Sequence, residues 1–293
     1  MHPAYIVRSE INQRENNEDS FQIFSIISGL TPNPIIVLAI ADGMGGLAYG
    51  EQVSREGLKK LSLALFEELV VEPSINRLEA GYQLDTKILS QAVMNAIEQA
   101  NAHVRRIVEI NKWGKAGSTI VIAAILQDKA IVGNLGDSPL FHYPVSSRKL
   151  TKITEDHTVA AVLMQMGMLT LEMTRYHEGR NQLEFYLGCY HLPQTPPLYE
   201  LDLADGDLLL LCSDGINGCL LHKEIEAIFA GNKGDLANIA NDLIIVAKTA
   251  GETDNQTLIV WKCQEQVGKV RSVDTVVIIL RISGKIECLS TNL

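Results

Sequence analysis

Short apolar runs, each bounded by turn-forming residues, recur along the chain. FQIFSII (21–27) and IIVLAIA (35–41) read as strands, with Gly29, Pro32, Asn33 and Pro34 between them. The period then changes. From about Glu51 to Leu69 the apolar positions Val53, Leu58, Leu61, Leu65 and Leu69 recur at helical spacing, and a second helix is predicted from about Ser90 to Asn111 with Val93, Ile97, Val104 and Ile107 on one face. Residues 70–87 read as the loop between them. STIVIAAIL (118–126), KAIVGNL (129–135) and PLFHY (139–143) follow as strands, joined by turns at Gln127-Asp128 and Gly136-Asp137-Ser138. The first two of these are apolar at nearly every position, which predicts burial on both faces and therefore a layer on each side. Residues 158–191 are an irregular, Met-rich excursion, in which Met164, Met166, Met168 and Met173 read as the core of a small helix. LLLLCS (208–213), TLIVWK (257–262) and VVIILRI (276–282) are further strands, with helices at about 222–230 and 235–250. Strand and helix do not alternate regularly, so the pattern favours a layered α+β architecture over a doubly wound parallel sheet.

Composition narrows the function classes. The chain has 293 residues, 46% hydrophobic and 20% charged, the profile of a folded protein with a sizeable core. Acidic residues outnumber basic ones, 35 to 25, for a net charge of −10. That argues against nucleic acid or an anionic membrane as partner, since both call for a basic face. The five cysteines (Cys189, Cys212, Cys219, Cys263, Cys288) form no C-x-x-C pair and read as reduced thiols. The N-terminal segment lacks a signal-peptide core and no apolar run approaches membrane-spanning length. The expectation is a cytoplasmic monomer.

The candidate chemistry lies in acids placed beside core strands. Asn16-Asn17-Glu18-Asp19 precedes one strand, Asp42-Gly43 ends another, Asp137 sits in a hairpin turn, Asp214-Gly215 follows LLLLCS, and Asp254-Asn255 precedes TLIVWK. Any one of them is an ordinary turn. As a set they suggest carboxylates meeting at one sheet edge, where mutual repulsion and desolvation favour a divalent cation with oxygen ligands, Mg²⁺ or Mn²⁺. Gly43-Met44-Gly45-Gly46-Leu47-Ala48 also fits a dinucleotide-binding turn, but the expected acid about 20 residues later falls inside a helix near Leu63. No P-loop, cysteine-phosphatase loop, zinc spacing or G-x-S-x-G elbow is present.

Taken in order, these motifs resemble the type 2C, metal-dependent (PPM) Ser/Thr protein phosphatases of bacterial type. The pieces are Arg14-x-x-Asn17-Glu18-Asp19, Ala41-Asp42-Gly43-Met44-Gly45-Gly46, Ala116-Gly117-Ser118-Thr119, Gly136-Asp137-Ser138, Leu150-Thr151 with Asp156-His157, Ser213-Asp214-Gly215 and Asp254-Asn255-x-Thr257. The resemblance implies a catalytic domain over residues 1–263, a four-layer αββα sandwich of two antiparallel sheets flanked by helix pairs, with 158–191 as the flap and 264–293 as an extension of unassigned role. It implies a two-metal site in which Asp42 bridges both ions, the Gly43 carbonyl binds one, and Asp214 and Asp254 bind the other. Glu18 and Asp19 would act through metal-bound water, and Asp137, with Asp214, would hold a third metal. Arg14 would grip the phosphate, and the nucleophile would be a metal-bridging hydroxide acting on phosphoserine or phosphothreonine in a protein. The alternative is a non-catalytic member kept as a binding or regulatory module. This sequence departs from the family at Met44, where many relatives carry a His able to protonate the leaving group, at Pro139, where the turn usually continues with Arg, and at Gln13, where Gly is usual. His157 is expected to anchor a loop.

Overall fold

The structure is a computed structural model. It describes residues 5–27, 31, 33–45, 49–71, 84–174, 176–193, 198–264, 275–282 and 285–292. Gly29, Pro32 and Gly46–Ala48, most of the expected loop at 70–87 and the first part of the C-terminal extension lie outside them.

Strands β1 (Tyr5–Glu10), β2 (Asp19–Ile26) and β3 (Ile35–Met44) lead into helix α1 (Tyr49–Phe66), which runs on through a π-helical turn at Glu67–Val71. Helix α2 (Thr86–Asn111) starts four residues earlier than its apolar period suggests, because the Asp85 carboxylate accepts the Ile88 N–H at 2.9 Å and caps it. Then come β4 (Gly117–Ser118), β5 (Ile120–Leu126), β6 (Lys129–Leu135), β7 (Leu140–Tyr143) and β8 (Thr151–Lys152). The excursion holds short helices α3 (Val159–Gln165) and α4 (Leu171–Thr174) and a 3₁₀ turn at Glu178–Asn181. The order closes with β9 (Leu198–Asp202), β10 (Leu208–Cys212), α5 (Asp214–Asn217), α6 (His222–Asn232), α7 (Leu236–Thr249), β11 (Gln256–Lys262) and the hairpin β12 (Thr275–Ile282) and β13 (Lys285–Asn292).

Two antiparallel sheets form the centre. One has the order β1-β11-β10-β7-β8, the other β2-β3-β5-β6-β9, with β4 pairing on β3. Three apolar clusters define four layers. Leu38, Ile40, Val121, Ala123, Leu209, Leu211 and Ile259 meet between the sheets. Ile35, Val37 and Ala39 face α1 and α2 on the outside of one sheet, and Leu208, Leu210 and Val260 face α6 and α7 on the outside of the other. The expected αββα sandwich is what the chain builds, and the strands read as doubly buried are buried throughout β5.

The period of two along these strands places the polar residues. On β3, Leu38 and Ile40 point between the sheets, and the next residue on that face is Asp42. On β2, Phe21 and Ile23 share a face with Asp19, and on β11, Ile259 and Trp261 share one with Thr257. The inter-sheet space is aliphatic through its middle and turns polar at one end.

Several expectations are corrected. Strands β1, β8, β9 and β13 lie where no strand was read. Met166, Met168 and Met173 are exposed on the excursion and are not the core of its helix, since α3 buries Ala160 and Ala161 instead. In the C-terminal extension the strand at 275–282 is present, and it is half of a hairpin lying against β2. Cys189, Cys212, Cys219 and Cys263 are free thiols. Among the described residues, no helix is long and apolar enough to cross a membrane.

Candidate active site

The polar end of the sandwich gathers the acids. Asp19 and Asp42 are direct partners across β2 and β3, a like-charge pairing that costs stability unless something offsets it. Asp214 begins α5 immediately beyond β10, Asp254 lies two residues ahead of β11, and Asp137 follows Gly136 in the turn between β6 and β7.

The backbone holding Asp42 is built by the Ser118-Thr119 motif. The Thr119 hydroxyl accepts the Asp42 N–H at 2.9 Å, the Thr119 N–H donates to the Asp42 carbonyl at 2.8 Å, and the Ser118 hydroxyl donates to the same carbonyl at 3.0 Å. Ser138, from the Asp137 turn, bonds Thr119 at 2.7 Å, so the two acid-bearing segments share one hydrogen-bonded frame. Two glycines are required by close approach. A Cβ on Gly43 would stand 2.1 Å from the Gly50 carbonyl oxygen, and one on Gly215 would stand 1.9 Å from that of Asn255. These contacts pin the Asp42 strand end to α1 and the Asp214 helix to the Asp254 segment.

The electrostatics are those of crowded carboxylates. Burial, then the charges of Asp19, Asp214, Asp137 and Asp254, hold the Asp42 carboxyl well above the ordinary range. Burial pushes Asp19 up to about 7, although hydrogen bonds from Ser213 and Thr257 pull the other way. Asp214 rises to about 6, again through burial and then through Asp254, with a hydrogen bond to Asp42 opposing it. Asp137 is raised by burial, Asp214 and Asp156, with Lys152 opposing. Two oxygens of the cluster, Asp19 Oδ1 and Asp214 Oδ1, are buried with no hydrogen-bond partner. Asp19 Oδ2, by contrast, accepts the Ser213 hydroxyl at 2.8 Å.

Arg14 stands at the mouth of this cluster, exposed, with Nη2 2.6 Å from Asp254 Oδ2. Glu18 turns its carboxylate onto the amino end of α1, where it accepts the Gly50 N–H. Met44 lies beyond Asp42, with Gly117 as its partner in β4. His157 anchors the loop it was expected to anchor. Its Nδ1 accepts the Gly136 N–H at 3.1 Å, and its own N–H donates to the Gly136 carbonyl at 2.9 Å.

Every sequence-predicted acid is therefore at one end of the molecule. They form an open cluster: among the described residues, no group of three or more carboxylate, thiol or imidazole side chains is gathered in a way that would hold a metal ion. Asp254 is drawn toward Arg14. The donor chemistry nevertheless suits a hard divalent cation, since the donors are all oxygen, carry excess negative charge, and include two buried oxygens without partners. Sequence reasoning named Ser118, Thr119, Asn255 and Thr257 as motif members without roles. Their function as the frame is visible only once residues far apart in the chain are seen to bond.

Similarity to known proteins agrees with this layout. The family described as Protein phosphatase 2C matches residues 8–238. The serine/threonine phosphatase stp of Listeria monocytogenes is 27% identical over 246 residues, which cover 84% of this chain and 90% of that protein. The solved structure of the Mycobacterium tuberculosis serine/threonine phosphatase PstP/Ppp superposes with a TM-score of 0.69 at 27% identity, covering 89% of this chain and 98% of that one. A PstP catalytic domain solved in complex with 2 manganese ions has a TM-score of 0.65 at 26% identity, covering 88% and 96%. The chain belongs to the protein phosphatase 2C family. It is a phosphoprotein phosphatase of the bacterial PPM type.

Proposed function

We propose that this chain hydrolyses phosphoserine and phosphothreonine in proteins at the Asp42 end of the sandwich, using Mg²⁺ or Mn²⁺. The observation that carries the reading is the meeting of Asp19, Asp42, Asp137, Asp214 and Asp254 from five separate segments, with Asp42 raised by the charges of the other four. Asp42, the Gly43 carbonyl, Asp214 and Asp254 would hold the pair of ions, Asp137 would complete a third position with Asp214, and Glu18 and Asp19 would bind through water. Bound divalent cations supply an activated water and a counter-charge for the phosphoryl oxygens.

The chain's own groups do the rest. Ser213 and Thr257 orient Asp19, and its Oδ1 is left buried without a hydrogen-bond partner. The Ser118-Thr119 frame fixes Asp42 through its backbone and leaves its carboxylate free of that task. Arg14 offers a planar fork that can grip two phosphate oxygens, which a lysine cannot. An incoming phosphate dianion would compete with Asp254 for that guanidinium, so phosphate binding would free the Asp254 carboxylate from its pairing with Arg14. Residues 1–263 would form the catalytic unit.

The test is turnover of an aryl phosphate and of a phosphothreonine peptide by the full chain with Mn²⁺. Turnover should vanish with chelator and in Asp42→Ala and Asp214→Ala. Folded protein with no metal-stimulated turnover would overturn the proposal, and Mn²⁺ binding by calorimetry without turnover would favour the non-catalytic alternative.

A further inference from the structure

The phosphate-gripping Arg14 sits on a segment without secondary structure of its own, residues 11–18 between β1 and β2. One buried side chain secures both ends of it. Asn255 is 5% exposed and all three of its side-chain hydrogen bonds go to the backbone of this segment. Nδ2 donates to the Ile11 carbonyl at 2.9 Å and to the Asn16 carbonyl at 3.0 Å, and Oδ1 accepts the Glu18 N–H at 2.9 Å. An asparagine amide has two donors and up to two acceptor positions, so both donors are used on carbonyls that bracket Arg14.

Neighbouring contacts act the same way. Asn12, which adopts a left-handed φ of 53° that asparagine tolerates better than most residues, donates from Nδ2 to the Glu252 carbonyl at 2.8 Å. The Gln13 N–H reaches the Thr253 carbonyl at 3.3 Å. On the other side, the Glu252 carboxylate accepts the N–H groups of Thr253 and Asp254 at 2.8 and 3.0 Å, which fixes the strip on which the Arg14 segment rests. Asn255 follows Asp254 directly, so one dipeptide carries both the carboxylate that pairs with Arg14 and the amide that holds the backbone on either side of Arg14.

The structure assigns Asn255 as the positioning residue for Arg14: its amide clamps the 11–18 segment so that the guanidinium is presented at the aspartate cluster. This deepens the proposed phosphatase reading and rests on it for the role of Arg14. Asn255 touches no reacting atom in this assignment and acts through the segment it holds.

A double-mutant cycle tests it. In the full chain with saturating Mn²⁺, Asn255→Ala should weaken inhibition by inorganic phosphate and raise KM for a phosphothreonine peptide by about tenfold, the effect of losing roughly one well-formed hydrogen bond's worth of orientation. Its effect on kcat should be smaller, and the Mn²⁺ affinity measured by calorimetry should stay within twofold or so. Arg14→Ala should give a similar KM, and Arg14→Ala/Asn255→Ala should be no worse than Arg14→Ala alone. Additive losses in the double variant, or a loss confined to Mn²⁺ affinity, would overturn the assignment. Hydrogen exchange gives a readout free of turnover: amides of residues 11–18 should exchange faster in Asn255→Ala while those of β10 and α7 stay protected, and unchanged protection at 11–18 counts against the clamp. Should Asn255→Ala fail to fold, Asn255→Asp keeps the Oδ1 contact to Glu18 and loses both donors, and it should show the same selective exchange and KM change. A wild-type chain without turnover sinks the phosphatase reading alone, since the exchange comparison still decides whether Asn255 holds the segment.

Discussion

Strand β10 carries an aspartate before it and another after it, and the two live in opposite circumstances. Asp207, just ahead of the strand, is 3% exposed and fully matched: Oδ2 pairs with His142 Nε2 at 3.0 Å and accepts the Ala204 N–H at 3.0 Å, while Oδ1 accepts the Val145 N–H at 3.0 Å. Asp214, just beyond the strand, has one buried oxygen with no partner and further carboxylates as neighbours. Four leucines, a cysteine and a serine separate the two, Asp-Leu-Leu-Leu-Leu-Cys-Ser-Asp, and nothing in that stretch tells them apart. The difference is in what the surrounding chain supplies. A carboxylate given an imidazole and two N–H groups closes off one end of the sandwich. A carboxylate left short of donors and set among its own kind is poised to receive a cation or a proton.

The sharpest way to break this comparison is to remove each acid in turn. Asp214→Ala should abolish Mn²⁺-dependent turnover, by roughly a thousandfold or more, because on the proposed reading it removes a ligand and not merely a supporting group. Its melting temperature without metal should hold or rise, since repulsion is relieved. Asp207→Ala should do the reverse. Stranding two backbone N–H groups and an imidazole in a dry site should cost about 3 kcal/mol of stability, with kcat/KM of the folded protein within about twofold of wild type. If Asp207→Ala removed activity from a fully folded protein, or Asp214→Ala unfolded it, the two ends would not differ in the way argued.

How far this contrast was legible beforehand depends on the residue. The paired apolar runs announced the doubly buried strands, and acids abutting such runs pointed to one sheet edge, because strand ends in a sandwich converge. Gly43 and Gly215 were legible as motif members, and the close backbone approaches explain why no side chain fits there. The edge strands were not legible. β1, with Tyr5-Ile6-Val7 followed by Arg8-Ser9-Glu10, and β9, with Leu198-Tyr199-Glu200-Leu201-Asp202, are each bonded on one side within their sheets and too short and polar to stand out. Nor does any local pattern disclose that Asn255 bonds residues more than two hundred positions away, or that Arg14 pairs with Asp254. The exposed methionines of the excursion were misread because their hydrophobicity was taken as burial, whereas α3 buries only its alanines.

A milder perturbation of the same comparison uses pH. The folded-state carboxyls of Asp19 and Asp214 lie at about 7 and 6, and Asp42 and Asp137 are also raised. Each therefore binds its proton more tightly folded than unfolded. Their stabilising contribution is present below the unfolded pKa of about 4 and is lost as pH rises through the folded values. Chelated protein should thus melt higher at pH 6 than at pH 8, by about 5 °C. Saturating Mn²⁺ should shrink or reverse that difference, because the ions replace the protons. Asp214→Asn should flatten the slope. A flat melting profile for chelated wild type between these two pH values would show that the aspartates are better solvated than their burial implies.

The smallest expected effect asks whether every polar group at the aspartate end is functional, and His157 is the case that says otherwise. Its Nδ1 accepts from Gly136, its carbonyl accepts the Glu184 N–H at 2.8 Å, and its ring meets Phe185 edge-on at 5.7 Å. It thus ties the Asp137 turn to the excursion much as His142 serves Asp207 at the far end. Burial lowers its pKa, with Asp156 opposing. An imidazole that accepts at Nδ1 and resists protonation is ill suited to donate a proton to a departing alkoxide, so it can anchor but not act as the acid that Met44 also fails to provide. His157→Ala should cost about 1–2 kcal/mol and lower kcat/KM by less than about tenfold. Because the folded pKa is depressed, the histidine's contribution is present above the unfolded value near 6.5 and is lost as pH falls below it. The melting-temperature gap between wild type and His157→Ala should accordingly narrow from pH 7.5 to 5.5. A gap that widened on acidification, or a catalytic loss approaching that of Asp214→Ala, would move His157 from the anchoring group to the reacting one.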